Sequence, residues 1–259
     1  MAAKLKGRQF AIPRSRRLTW DLLHFNRRVP LCGHDRLMLL SELNDVRRRS
    51  SQRISWPALF LKAYGLLAAE VPELRQTWYR WPFAHLYEHP CSIASIAVQR
   101  SINDEPWLFW GQIREPEHKS LIEIQQSLDE LTTADPYRLF YKQIQLSSLP
   151  TIVRRLVWGW NLGIAKAGRA RRIGTFFLST LSGRGVEIQT PPSVQTGCLT
   201  YGPLSDKGLC RVTLAYDHRV MDGAIIADCL NRMEVILSET LRSELLNMST
   251  TLGDTAAVA

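Results

Sequence analysis

Residues 211–223 read Arg-Val-Thr-Leu-Ala-Tyr-Asp-His-Arg-Val-Met-Asp-Gly. Up to Tyr216 the side chains alternate with a period of two, which predicts a β-strand. Beyond Gly223 apolar residues return at the spacing of a helix. The stretch therefore presents His218 at a strand end, on a turn that a glycine permits and Asp222 can brace. A neutral imidazole there is suited to act as a general base, although a lone histidine near a turn is more often structural or solvated.

The string from Asp217 to Ala224 resembles a family signature at every specified position. The signature is Asp-His-Arg-x-x-Asp-Gly-Ala, and it belongs to the dihydrolipoamide acyltransferases, the acyltransferase component of 2-oxoacid dehydrogenase complexes. That family shares its fold with chloramphenicol acetyltransferase. The resemblance implies that His218 deprotonates the acceptor thiol and that Asp222, followed by a supporting glycine, holds the site through an arginine.

Residues 174–181 read Gly-Thr-Phe-Phe-Leu-Ser-Thr-Leu. They resemble a second string of the same family, Gly-Thr-Phe-x-(Ile/Val)-Ser-x-Leu, which implies that the Ser179 hydroxyl donates a hydrogen bond to the oxyanion of the tetrahedral intermediate. Without the resemblance this would be an ordinary strand serine. Thr180 is adjacent, but in a strand its side chain points to the opposite face. The arginine partner of the aspartate, by the same resemblance, is Arg16 or Arg17.

The sequence predicts an α/β fold with one main domain. The resemblance covers about two thirds of the chain and implies a two-layer mixed β-sheet sandwich with helices, like chloramphenicol acetyltransferase. We expect residues 12–246 to form the catalytic domain, with an insertion at 132–173. Residues 247–259 are predicted to be a flexible tail, because they are small, polar and aperiodic.

Local patterns predict the individual elements. Helices are expected over 37–49, over 56–70 with Ser55 as its cap, and after a capping box at Ser120-x-x-Glu123. Strands are expected over 92–99, 107–113 and 196–201, and a loop over 100–106.

Composition fits an enzyme domain that binds no metal. The chain has 259 residues, of which 45% are hydrophobic and 22% charged, enough to bury a large core. Its five cysteines are scattered without metal-ligand spacing, which predicts small core residues in a reducing cytoplasm. No signal-peptide pattern opens the sequence, and no apolar run is long enough to span a bilayer.

Positive charge is concentrated in two zones. Residues 1–53 carry 13 Lys and Arg against 4 Asp and Glu, and residues 154–172 carry 6 Lys and Arg and no acid. For a single arginine, solvated surface is the usual explanation. Taken together the zones fit three partners: the phosphates of coenzyme A, an acidic acyl carrier protein, or an anionic membrane. Nucleic-acid binding is disfavoured, because no nucleic-acid-binding motif is present.

The insertion departs most from the resembled family. Residues 149–172 mix bulky apolar side chains with arginines. Two interpretations stay open, a lid packed over the acyl site and a peripheral membrane contact with Trp at headgroup depth. Packing as a lid is the commoner outcome for such a segment.

The function predicted from these residues is acyl transfer between a coenzyme A or carrier thioester and a thiol or hydroxyl acceptor. Coenzyme A is then a substrate. No lipoyl group is expected on this chain, so an acyl carrier or lipoyl protein would act in trans. The resemblance implies a homotrimer whose site takes its histidine and serine from different chains. Two alternatives are a small-molecule O-acetyltransferase like chloramphenicol acetyltransferase, and a non-catalytic scaffold of the same fold that binds coenzyme A or a membrane.

Overall fold

A computed structural model of the protein describes residues 7–248. Within that range the strands are β1 (Leu31–Leu39), β2 (Gln76–Tyr79), β3 (His85–Glu88), β4 (Ile93–Ile102), β5 (Glu105–Arg114), β6 (Phe176–Ser179), β7 (Gly197–Tyr201) and β8 (Leu209–Asp217). The helices are α1 (Arg17–Asn26), α2 (Ser41–Arg49), α3 (Trp56–Glu70), α4 (Leu121–Thr133), α5 (Pro136–Leu139), α6 (Tyr141–Ser148), α7 (Thr151–Gly163), α8 (Lys166–Ile173) and α9 (Gly223–Val235).

The architecture is a mixed β-sheet covered by helices. Six strands pair in the order β1-β8-β7-β6-β4-β5, while β2 and β3 form a separate antiparallel pair. β6 runs parallel to both β4 and β7, and the other pairs of the large sheet are antiparallel. The predicted α/β fold with a mixed sheet and helices is confirmed.

The main core lies between one face of the sheet and the central helix. The period of two in β8 buries Val212, Leu214 and Tyr216 on that face. α3 is apolar almost throughout because it is covered on several sides, and its Tyr64 ring stacks on Phe176 at 3.8 Å between centroids. The close approach explains a glycine at the start of β7, since a Cβ there would overlap the Tyr64 hydroxyl.

The helix predicted over 37–49 is shorter than expected. It begins at Ser41, and residues 37–39 belong to β1. The apolar pattern was misleading here, because Leu37 and Leu39 point to the exposed side of an edge strand while Met38 is buried. Their pairing with β8 joins segments distant in sequence, and a local pattern does not contain it.

The loop predicted over 100–106 is a tight hairpin. β4 and β5 continue to Ile102 and Glu105, so only Asn103 and Asp104 form the turn. Both have positive φ, 50° and 61°, a conformation that Asn and Asp tolerate and that suits two-residue hairpins. Pro106 fits within a strand because β5 is an edge strand, where a missing N–H need not break the ladder.

One predicted cap is confirmed and the other differs. Ser120 and Glu123 form the reciprocal capping box that opens α4. Ser55 occupies the cap position of α3, but its hydroxyl does not cap the helix. Its backbone N–H instead donates to Gln125 Oε1 at 2.8 Å, which ties α3 to α4.

The insertion folds as helices α5 to α8. Arg154 of α7 is buried against Asp21 of α1, with Nε 2.6 Å from Oδ2. Trp158, one turn later, stacks on Phe25 at 6.0 Å between centroids. In α8 the buried Arg169 guanidinium donates to the carbonyls of residues 162 and 194. Two buried cations therefore fix the insertion to the domain.

Removing one partner of the Asp21–Arg154 pair is expected to be strongly destabilising. Asp21→Ala leaves a guanidinium uncompensated in the interior, which costs about 3–5 kcal/mol of the free energy of unfolding. The double variant Asp21→Leu with Arg154→Met should recover most of that loss, since it removes both charges and keeps the volume. Urea unfolding followed by circular dichroism measures both. A single variant within about 1 kcal/mol of the wild type would contradict the expectation.

The carboxyl-terminal helix extends further than predicted. After α9 the chain continues in π-helical turns over Ile236–Leu241 and then as α-helix through residue 248. Residues 247 and 248, assigned to a flexible tail from the sequence, are therefore helical, and residues 249–259 lie outside the described range. None of the helices in residues 7–248 is both long and apolar enough to cross a bilayer.

Candidate active site

His218 lies on a tight turn between β8 and α9. Its backbone N–H donates to the Pro30 carbonyl at 3.1 Å, and the N–H groups of Val220 and Met221 return to the Asp217 carbonyl. α9 then begins at Gly223. The turn is thus tied both to the strand that precedes it and to the segment that follows α1.

The residues on either side of His218, Asp217 and Arg219, form an ion pair across the turn. Arg219 grips Asp217 through two hydrogen bonds, Nε to Oδ1 at 2.8 Å and Nη2 to Oδ2 at 2.6 Å. The carboxylate is buried, and the guanidinium lies 4.3 Å from the centroid of the Trp78 ring. A bidentate ion pair that is largely withdrawn from water keeps its geometry. The backbone that carries the His218 imidazole is therefore held rigidly.

Asp222 lies beside the imidazole. His218 Nδ1 is 3.4 Å from Asp222 Oδ1, within ion-pair distance, and the two side chains are 45% and 80% exposed. The carboxylate places a negative charge beside the ring, where it would attract the positive charge that a proton transfer creates. The arrangement suits a general base that is open to an incoming acceptor.

Gly223 allows the turn to lie close to the edge strand. A Cβ at this position would be 2.6 Å from His34 Nε2. His34 in turn contacts Tyr216, with Nε2 3.4 Å from the hydroxyl. Sequence reasoning missed His34, because β1 pairs with β8 across more than 170 positions and His34 belongs to no recognisable motif.

The arginines predicted to pair with Asp222 lie elsewhere in the chain. Arg17 donates to the Ser147 carbonyl at 3.2 Å, and Arg16 is exposed in the turn before α1. Within residues 7–248 the ion pair of Asp222 is with His218. The predicted contact with Arg16 or Arg17 is therefore not made within this chain, since the turn before α1 packs against α6 and β5.

Ser179 ends β6, far from His218. The register aligns Ser179 with Thr200 of β7 and Thr213 of β8. His218 follows Thr213 by five positions, just past the end of β8, at about 3.3 Å per residue, and the step from β6 across β7 to β8 adds two inter-strand spacings of about 4.8 Å each. Within one chain the two side chains are therefore roughly 15–20 Å apart, too far to act on the same carbonyl.

The two hydroxyls that end this segment differ in their surroundings. Ser179 is partly exposed, and its hydroxyl makes no hydrogen bond with the described residues. Thr180 is engaged with the backbone, donating to the Tyr201 carbonyl at 2.9 Å and accepting from the Ser182 N–H at 3.0 Å. Thr180 therefore holds the turn, and it also lines a cavity of about 380 Å³ between β4 and α4. Of the two, Ser179 is the free donor.

Comparison with known proteins places this geometry in a familiar architecture. No protein-family model and no curated protein sequence matches the chain. A probable dihydrolipoamide acetyltransferase from Listeria monocytogenes is 17% identical, with a TM-score of 0.60 over 94% of this chain and 96% of that one. The cubic core of the pyruvate dehydrogenase multienzyme complex is 19% identical, with a TM-score of 0.64 over 92% and 95%. Chloramphenicol acetyltransferase is 14% identical, with a TM-score of 0.50 over 88% and 96%.

The chain has the chloramphenicol acetyltransferase-like fold. The resemblance found at residues 174–181 and 217–224 is thereby confirmed at the level of the fold. Within this chloramphenicol acetyltransferase-like fold, the roles of the individual residues rest on the geometry described above. Among residues 7–248, no group of three or more His, Cys, Asp and Glu side chains is placed to hold a metal ion.

A second histidine, His89, is buried directly after β3. Its Nε2 is 3.2 Å from Thr77 Oγ1, and burial together with the charges of Arg169 and Arg75 lowers its pKa to about 4. Arg169 also stacks on Tyr79 at 5.5 Å from the ring centroid. Arg169 also interacts electrostatically with Asp217 and Arg219, so the insertion contributes a buried cation close to the turn that carries His218.

The low pKa of His89 predicts a loss of stability in mild acid. The folded pKa of about 4 lies below the ordinary value of 6.5, so between these values the unfolded chain binds more protons and stability falls as pH falls. The wild type should lose about 1–2 kcal/mol of unfolding free energy from this group between pH 7.5 and 5. His89→Gln should flatten that part of the profile in urea titrations. An unchanged pH dependence in the variant would contradict the assignment.

Proposed function

We propose that the protein is an acyltransferase that moves an acyl group between a coenzyme A or carrier thioester and a thiol or hydroxyl acceptor. The observation that carries the proposal is the imidazole of His218. It is fixed at a strand end by a clamped turn, with a carboxylate 3.4 Å from Nδ1 and the ring open to solvent. Such a base serves to activate a weakly acidic nucleophile.

The proposed reaction runs through a tetrahedral intermediate. Nε2 of His218 takes the proton of the acceptor, and the acceptor attacks the thioester carbonyl. The Ser179 hydroxyl donates to the oxyanion, a contribution of about 3–4 kcal/mol for one such donor. The carbon–sulfur bond then breaks, and the carrier thiolate leaves and recovers the proton from His218. Asp222 stabilises the imidazolium that exists between the two proton transfers.

We propose that one site is built from two copies of the chain, in a homotrimer. The separation of roughly 15–20 Å between Ser179 and His218 in one chain supports this, since a neighbouring copy must supply the missing group. Arg16 and Asp222 are both exposed, so the predicted ion pair is open to form between copies. Arg17 holds Ser147 and is less suited.

The carrier is proposed to be anionic, either coenzyme A or a carrier or lipoyl protein acting in trans. Arg27 and Arg28 precede Pro30, whose carbonyl binds the His218 backbone, and they add positive charge beside the turn. Phosphates and acidic proteins are both attracted to such a site. The five cysteines are free thiols, which supports a reducing, cytoplasmic location.

The experiment that tests the activity is a panel of thioesters and acceptors. The purified protein is incubated with short and long acyl-coenzyme A thioesters and with dihydrolipoamide, pantetheine, a carrier protein or chloramphenicol, and products are read by mass spectrometry. Transfer to a thiol is the expected result. Transfer to chloramphenicol alone would assign a small-molecule O-acetyltransferase. Coenzyme A binding without transfer to any acceptor would overturn the proposal in favour of a non-catalytic scaffold.

A further inference from the structure

The helix α7 presents an apolar stripe to solvent. Ile152, Leu156 and Trp160 recur every four residues and are 76%, 68% and 57% exposed, and Ile164 continues the row just beyond the helix. We call these four residues the α7 stripe. The opposite side of the helix is the one that packs on the domain, through the buried Arg154. The exposure is therefore a property of a fixed helix, not of an unattached segment.

Further exposed apolar side chains lie near the start of α7. A cavity of about 440 Å³ at the start of α7 is lined by Ile12 and Trp20 on one side and by Leu149 on the other. These three side chains are themselves exposed. With the four residues of the α7 stripe, seven exposed apolar side chains therefore lie on or beside this helix, which gives the region around α7 more apolar surface than the scattered single residues usual on a monomer.

Positive charge flanks this surface, and the two segments that form it carry no exposed carboxylate. No acidic residue occurs between Asp135 and Glu187. Residues 7–34 comprise α1 and the segments that flank it. The single carboxylate in this range is that of Asp21, which is buried against the Arg154 guanidinium. Lys166, Arg171 and Arg172, all in α8, are exposed.

We propose that this surface docks on an anionic membrane, with α7 lying in the plane of the interface. An amphipathic helix with bulky aliphatic residues, a tryptophan and flanking cations is the composition that such interfaces bind. A second copy would bring two cationic surfaces together, which is unfavourable. An acidic carrier protein would satisfy the charges but leave the aliphatic stripe in water. The docked helix orients the rest of the domain relative to the lipid.

Flotation with lipid vesicles tests the proposal on the full chain. Vesicles of phosphatidylcholine with about 30% phosphatidylglycerol should carry the wild type upward in a density gradient, and pure phosphatidylcholine should carry at least about tenfold less. The triple variant Ile152→Ser, Leu156→Ser, Trp160→Ser should lose about tenfold or more of the binding. Lys166→Gln with Arg171→Gln should lose about twenty-five-fold, because each charge raises partitioning by about fivefold.

A matched control replaces two exposed leucines elsewhere. Leu37→Ser with Leu39→Ser alters β1, at the edge of the sheet, and should float like the wild type. Thermal unfolding checks that each variant is folded. If the wild-type protein stays at the bottom of the gradient with the anionic vesicles, the proposal is overturned. Flotation that the triple variant retains, or that the control loses equally, overturns it as well.

Discussion

His218→Ala is expected to lower the rate of acyl transfer by about a hundredfold to ten-thousandfold, the usual contribution of a positioned general acid–base group. The effect should appear in kcat, because the imidazole acts on the acceptor proton in the transition state and contributes little to binding of the thioester. The measurement is product formation by mass spectrometry with the donor and acceptor that the wild type uses best. Since the side chain is 45% exposed, its loss should leave folding intact.

An exposed histidine outside the site, His118, supplies the control for this result. His118 is exposed in the loop after β5, and no described contact ties its side chain to the site. His118→Ala should keep the wild-type rate within about twofold. Equal rates for His218→Ala and the wild type would remove the general-base role. An equal loss in both variants would point to an effect of histidine removal that is unrelated to the site.

The site residues that the sequence could predict are those whose positions depend on local structure. The alternation in β8, the turn and the start of α9 are contiguous, so the presentation of His218 at a strand end is contained in about a dozen residues. The same holds for Ser179 at the end of β6. The register between the strands is not a local property of the sequence. This register is what separates the side chains of Ser179 and His218.

Charge was the least predictable property. Arg154 and Arg169 belong to a segment with no acidic residue, so the pattern predicts solvated cations. The structure buries both, one against Asp21 more than 130 positions earlier and the other against backbone carbonyls. Burial of an arginine depends on partners that tertiary packing supplies, and no local pattern records them. The exposed cations that remain are fewer but lie together.

Mixing two inactive variants is expected to restore about a third of the wild-type activity in purified mixed trimers. Ser179→Ala alone should lose about a hundredfold to a thousandfold, through loss of the oxyanion donor. When Ser179→Ala and His218→Ala chains are co-expressed equally and assemble at random, a site is intact only if its histidine comes from the first variant and its serine from the second. In a closed ring of three with heterologous interfaces, each trimer that contains both variants has one such site, which is about one site in three.

The two variant chains carry different affinity tags, so that mixed assemblies are purified by two successive steps and assayed for acyl transfer. The control is a mixture of His218→Ala with His218→Asn chains, in which every site lacks the base and no activity should return. Recovery in the first mixture and not in the control requires that the groups meet between copies. No recovery from confirmed mixed assemblies would mean that Ser179 and His218 do not share a site, and the oxyanion donor would have to be sought nearer the turn that holds His218.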